Sequence, residues 1–220
     1  TSLPNYPNGT LFNDFKLYPD KYSNFKGIEV FRVPIILRGN NKFKLVLNYL
    51  SFALSASING VYKLRNRNFD IIFVFEPSPI TVGLPAILLK RIKKAPIIFW
   101  ALDLWPDTLE AIGVIKSKKI IKLIGSLVSF IYNKCDLILG QSKSFLPHIK
   151  KYTNHNNIEY FPGWAELEFS ESNDDRVNEE KSKFNIVFTG NIGEAQDFPA
   201  ILDAVELLKV DPKVHWTFVG

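Results

Sequence analysis

The chain has 220 residues, of which 46% are hydrophobic and 22% charged, with one Cys and no Met. That length suffices for one full core, or for one domain plus part of another, and the lone Cys135 excludes an intrachain disulfide. The net charge of +5 is unevenly spread: residues 1–165 hold 22 Lys/Arg against 10 Asp/Glu, whereas residues 166–220 hold 5 against 12. A reversal near residue 165 marks either a boundary between two units or a chance cluster of acids in a solvated linker.

Asn8-Gly9-Thr10 is a formal glycosylation sequon that reads as a turn. Ile28 to Val33 alternates apolar and polar residues, as a strand near a sheet edge does. Phe43 to Leu64 carries apolar residues at helical spacing and ends in a basic cluster of Lys63, Arg65 and Arg67. Asp70 to Phe75, Pro96 to Ala101, Asp136 to Gly140 and Ile158 to Phe161 are short runs, apolar on both faces, which predict parallel strands covered by helices on both sides. Helices are expected between them over 80–94, 119–134 and 142–152, the last capped by Ser142 and limited by Pro147. No transmembrane helix is expected: the best candidate, Ile120 to Leu139, is broken by Lys122, Asn133, Lys134 and Asp136. Residues 165–183 read as an acidic linker. A strand at 184–189, a glycine loop at 190–193, a helix at 198–209 and a strand at 214–219 then form one βαβ unit. Strand and helix alternating at this spacing predict right-handed crossovers and a doubly wound α/β sheet.

Ligands of such sheets collect beyond the carboxyl ends of the strands, and three of those ends carry distinctive residues. In Glu76-Pro77-Ser78-Pro79, Glu76 either accepts hydrogen bonds from sugar hydroxyls or belongs to a merely rigid strand-to-helix turn. In the segment Trp100 to Asp107, Asp103 ends a strand between two Trp residues and is a candidate to position a hydroxyl or take its proton. Trp100 reads as core, Asp107 as a helix N-cap, and Trp105 as an aromatic face for a sugar ring or a lipid. In the third, Gly190, Asn191 and Gly193 could bring backbone N–H groups to phosphate oxygens near a helix start, although no Lys or Arg follows closely. The basic clusters at Lys90 to Lys94 and Lys116 to Lys119, with Arg38, Lys42, Lys44, Phe43, Tyr49 and Phe52, suit either an anionic lipid surface or ordinary solvated helix ends. No nucleic-acid motif accompanies them, and His148, His155 and His215 lack metal-ligand spacing. Cys135 reads as a small buried residue.

The runs Glu76 to Pro85, Asp103 to Asp107, Gln141 to Phe145, Phe161 to Glu166 and Gly190 to Gln196, together with Asn5 to Gly9, resemble the GT-B glycosyltransferases of family 4, and among them the fucosamine-type transferases of bacterial O-antigen and capsule synthesis. The resemblance implies two Rossmann-like domains: a nearly complete N-terminal, acceptor-side domain over 1–164, a linker over 165–183, and over 184–220 the first βαβ unit of a nucleotide-sugar-binding domain. It implies a UDP-linked sugar donor without further cofactor or metal, and a polyprenyl-diphosphate-linked acceptor at the inner face of the cell membrane. The implied chemistry retains anomeric configuration, and Asp103 then positions substrate rather than abstracting a proton. Glu76, Asp103, Ser78 and Trp105 would line the acceptor side; Gly190, Asn191 and Gly193 would approach the donor diphosphate. A first strand with its glycine turn and a pair of donor-gripping glutamates are expected outside the sequence, so that these 220 residues are expected to be an inactive, poorly folding piece of the enzyme. A GT-B sugar-nucleotide epimerase and a non-catalytic membrane-binding α/β module are the competing readings.

Overall fold

A computed structural model describes residues 1–5, 9–39, 41–164, 184–190, 192–193 and 196–220. The chain separates into two compact units, Thr1–Gly163 and Trp164–Gly220.

Unit 1 opens with a short helix α1 (Asn13–Leu17), a 3-10 turn (Pro19–Tyr22) and a two-residue antiparallel hairpin, β1 (Asn24–Phe25) with β2 (Ile28–Glu29). The strand expected over 28–33 is thus cut to two residues, with Val33 making only an isolated bridge to Ser2. Helix α2 (Lys42–Leu64) follows. The side chain of Asn41 caps it, accepting a hydrogen bond from the Lys44 N–H at 2.7 Å. Next come β3 (Ile72–Glu76), a 3-10 turn (Ile80–Val82) running into α3 (Gly83–Lys93), β4 (Ile97–Ala101), α4 (Asp107–Ala111), α5 (Lys118–Tyr132), β5 (Leu137–Gly140), α6 (Phe145–Lys150) and β6 (Ile158–Tyr160). The four longer-range strands form one parallel sheet in the order β3-β4-β5-β6. Unit 2 holds β7 (Phe184–Thr189), α7 (Phe198–Leu208) and β8 (Val214–Val219), with β7 and β8 parallel and in register from Phe184↔Val214 to Thr189↔Val219.

The core of unit 1 lies on one side of its sheet. Ile97, Phe99, Ala101 and Ile138 are fully enclosed there by Ile80, Ile87, Val128, Ile131 and Tyr132. The Phe99 and Tyr132 rings meet edge to face with centroids 5.6 Å apart. Helices α3 and α5 approach so closely that a Cβ at Gly83 would stand 2.5 Å from Cγ2 of Ile131. Gly83→Ala is therefore expected to cost about 1–3 kcal/mol by overpacking, seen as a lower urea midpoint with an unchanged slope. At the other end of the sheet, Asp136 Oδ2 accepts from the Ile97 N–H at 2.7 Å and from Lys90 Nζ at 2.5 Å, which ties α3, β4 and β5 together.

The opposite face departs from the expectation of helices on both sides. Phe73 and Phe75 alternate with the buried Val74 and Glu76 along β3, yet remain 52% and 56% exposed. Helix α2 packs chiefly against α3 and the 80–82 turn. Its own stripe of Phe43, Val46, Leu50, Leu54, Ile58 and Tyr62 is consequently exposed. By length and composition alone, Phe43–Leu64 is long and apolar enough to cross a membrane. The stretch weighed and set aside from the sequence, Ile120 to Leu139, is divided between α5 and β5, with Val128, Ile131 and Ile138 in the core.

Cys135 is buried, as expected; its thiol donates to the Ile131 carbonyl, and burial pushes it up to about 12. Helix α6 is shorter than expected and starts after Ser142, whose hydroxyl pairs with that of Ser144 and caps no helix. Pro147 fits within its first turn, where no intrahelical N–H is required.

Candidate functional site

Strands β3 and β4 are neighbours in register, Glu76 opposite Ala101, so the turns that leave them emerge side by side. This brings together three residues singled out in the sequence. The Trp105 indole N–H points at two oxygens at once: it donates to Asp103 Oδ2 at 3.0 Å and to Ser78 Oγ at 3.2 Å. All three side chains are half-buried. Ser78 sits at φ +138°, a backbone setting rare for an L residue; such settings concentrate where a side chain must be aimed.

A fourth participant comes from α2. Tyr49 lies edge-on to Trp105, with ring centroids 6.5 Å apart. Burial raises its pKa, against the lowering influence of Arg38 and of the Ser78 hydroxyl. Read from the sequence, Tyr49 belonged to a lipid-facing aromatic set; the structure places it in this cluster instead. From the far side, Gln141 at the end of β5 donates its side-chain N–H to the Leu102 carbonyl at 3.0 Å, pinning the start of the 102–107 segment.

Glu76 is in a different position from its neighbours. It is 0% exposed, and neither carboxyl oxygen has a hydrogen-bond partner. Burial first, then the charge of Asp103, push its pKa up to about 9, against the weaker pull of the Asp103 and Leu102 backbone N–H groups, which lie near the carboxyl without bonding it. It is a neutral acid at pH 7, enclosed beneath the turn and closed off from sugar hydroxyls. The Tyr132 and Thr81 hydroxyls are also buried without partners, and Tyr132 is raised by burial and by Glu76.

Two assignments around the site divide. Trp100 is core, as expected: buried, packed by Phe73, Phe75 and Phe161, and donating its indole N–H to the Phe161 carbonyl at 3.0 Å. Asp107 is not an N-cap. Pro106 occupies that position, and the Asp107 carboxylate turns to α6 and beyond, where it meets His148 Nδ1 at 2.7 Å and accepts from the Tyr152 hydroxyl at 2.7 Å. Neither partner was found from sequence, because 41 and 45 residues separate them from Asp107. Of the basic residues read as a lipid-facing cluster, Lys90 is held by Asp136 and the Lys134 carbonyl, and Lys93 by the Arg65 carbonyl.

In unit 2, Gly190 follows β7 at φ +144°, a setting open to glycine and strained for other residues. Its N–H is taken by the Val219 carbonyl at 2.9 Å, which leaves that group committed to the sheet. Gly193 is half-buried and its carbonyl accepts from the Gln196 N–H. Asn191 lies outside the described residues. Among the described residues, no group of three His, Cys, Asp or Glu side chains is arranged to hold a metal ion.

No family model matches the chain. Over 154 residues it is 30% identical to a probable glycosyltransferase, WbjE, of Pseudomonas aeruginosa, an alignment covering 62% of this chain and 37% of the relative. The chain thus spans little more than a third of that curated protein. Among solved structures it is similar to Anabaena HepE in complex with UDP-glucose, with a TM-score of 0.54 at 9% identity over 94% of this chain and 50% of that one. HepE in complex with UDP matches with a TM-score of 0.52 at 8% identity, over 93% and 58%. The fold is shared. At such identities the likeness speaks for architecture alone, and with it for the α/β, GT-B class of Rossmann-like units expected from the sequence.

Proposed function

We propose that the whole protein is a family 4, retaining glycosyltransferase. It moves a sugar from a UDP-linked donor to a polyprenyl-diphosphate-linked saccharide, at the inner face of the cell membrane, in the synthesis of a bacterial surface polysaccharide. Unit 1 takes the acceptor and unit 2 belongs to the donor side. The observation that carries this reading is the single indole N–H of Trp105 holding Asp103 and Ser78 together at the mouth of two adjacent parallel strands. That is where an open α/β sheet collects its ligand. There a carboxylate, a hydroxyl and two aromatic rings, those of Trp105 and Tyr49, meet within one cluster, the mixture that sugar hydroxyls and ring faces call for. The probable glycosyltransferase among its relatives and the UDP-glucose bound by HepE support the donor class.

In this reading Asp103 orients the acceptor hydroxyl. Trp105 fixes the carboxylate and offers its face, while Ser78 is the second polar contact. Glu76 supports the turn from beneath as a neutral group. Gly190, Asn191 and Gly193 form the donor-side loop. The absence of side chains at Gly190 and Gly193 leaves room for the diphosphate, with charge compensation supplied from elsewhere in the whole protein. The exposed apolar and basic residues of α2, Phe43 and Lys44 among them, serve attachment to anionic lipid.

The test is to incubate the whole protein with radiolabelled UDP-sugars and membranes containing polyprenyl-diphosphate saccharides, then extract the lipid. Label in the lipid fraction, dependent on the protein, is the expected result. Conversion of the donor to UDP and free epimerised sugar with no lipid label would favour the epimerase. Liposome binding with no turnover would leave only the non-catalytic module.

A further inference from the structure

Asp107 closes the segment that carries Asp103 and Trp105, and it is gripped more firmly than its place at a helix start requires. His148 Nδ1 and the Tyr152 hydroxyl each lie 2.7 Å from one of its oxygens. Lys151 Nζ stands 3.5 Å from Oδ2 and 3.2 Å from His148 Nδ1. Burial alone would raise the Asp107 carboxyl; the bonds from His148 and Tyr152 and the charge of Lys151 overcome it and hold the group below its ordinary value. It is an anion with donors on both oxygens.

The grip reaches the site through a very short path. Only the buried Pro106 separates Asp107 from Trp105, and Trp105, Asp107, His148 and Tyr152 line one tightly packed crevice. Gly125 of α5 makes room for the arrangement, since a Cβ there would meet the Tyr152 ring at 3.3 Å and Pro106 at 3.8 Å. At its other end the segment is held by Gln141 on the Leu102 carbonyl. With both ends fixed, the indole N–H between them has one place to go. Charged and titratable groups beside the His148 ring include Asp107 from α4, Tyr132 from α5, and Lys151 and Tyr152 just after α6.

We propose that His148 and Tyr152 are positioning residues for the site: through Asp107 they set the register of residues 102–107 and so keep the Trp105 indole N–H on Asp103 and Ser78. Its significance for acceptor binding rests on the proposed function; the mechanical coupling does not.

The test reads that coupling directly. In the whole protein labelled with ¹⁵N, the Trp105 indole resonance is identified by its loss in Trp105→Phe. Its solvent exchange is then compared in wild type, Tyr152→Phe and His148→Gln. Exchange at Trp105 is expected to quicken roughly tenfold or more in each variant, as a bonded N–H becomes free to meet water. The Trp100 indole, bonded to the Phe161 carbonyl on another part of the sheet, is expected to stay unchanged. Equal exchange at Trp105 in folded variants would overturn the proposal, because a bond that only staples α4 to the chain beyond α6 would cost stability without moving that proton. Tyr152→Phe deletes one hydroxyl and keeps the ring over Gly125, so it decides the matter if His148→Gln fails to fold. No donor or acceptor enters the measurement. Faster exchange with no sugar transfer in the lipid assay would leave the coupling standing and the functional reading fallen.

Discussion

Replacing Asp103 by asparagine is expected to lower sugar transfer by about a hundredfold or more while leaving the fold intact. The amide matches the carboxylate in shape, and its oxygen can still accept from the Trp105 indole, which lies 3.0 Å from Oδ2 in the native site. What disappears is the negative charge and one face able to accept from a substrate hydroxyl. A positioned carboxylate that orients or deprotonates a reacting group contributes on the order of 10²–10⁴ in rate, and loss of orientation alone accounts for about 10². The measurement is kcat and KM for the lipid acceptor at saturating donor, beside a thermal melt. Unchanged turnover with an unchanged melt would reduce Asp103 to a partner of Trp105. Glu76→Gln is the natural control. Because Glu76 is enclosed and neutral at pH 7, its amide replacement is expected to keep activity within a fewfold, even though it lies next to the same site.

Parallel strands β3, β4 and β5 were legible because each is a continuous apolar run too short for a helix, and their ends named Ser78, Asp103 and Trp105. Burial was the part that sequence could not supply. Glu76 follows Phe75 at a strand end exactly as a cleft carboxylate would, and only the closure of neighbouring elements over it separates a ligand-binding group from an enclosed one. Tyr49 and His148 were missed for a related reason. Each sits on a helix whose spacing explains it as an ordinary surface or packing residue, and each gains meaning from a residue of the 105–107 segment roughly 40 to 56 positions away. The bare flank of β3 has the opposite origin: Phe73 and Phe75 satisfy the pattern of a strand covered on both faces, and pattern alone does not say where α2 will pack.

Glu76 also carries the prediction with the largest effect on stability. Its ordinary value of 4.5 is raised to about 9 in the folded protein, so between those two pH values the native state holds a proton that the unfolded chain releases. The Glu76 contribution to stability is then greatest below 4.5, is lost as pH rises toward 9, and is flat again above it, with a slope of about 1.4 kcal/mol per pH unit in between. Glu76→Gln has no proton to hold. It is expected to match wild type near pH 4.5 and to exceed it by about 3 kcal/mol at pH 7. Urea titrations at a series of pH values measure both curves. A wild-type slope that persists in the Gln variant would place the titrating group elsewhere. A variant less stable than wild type at pH 7 would mean that the native carboxyl is ionised in its enclosed setting. If the two curves part as expected, the acid beneath Asp103 is retained at a cost to stability.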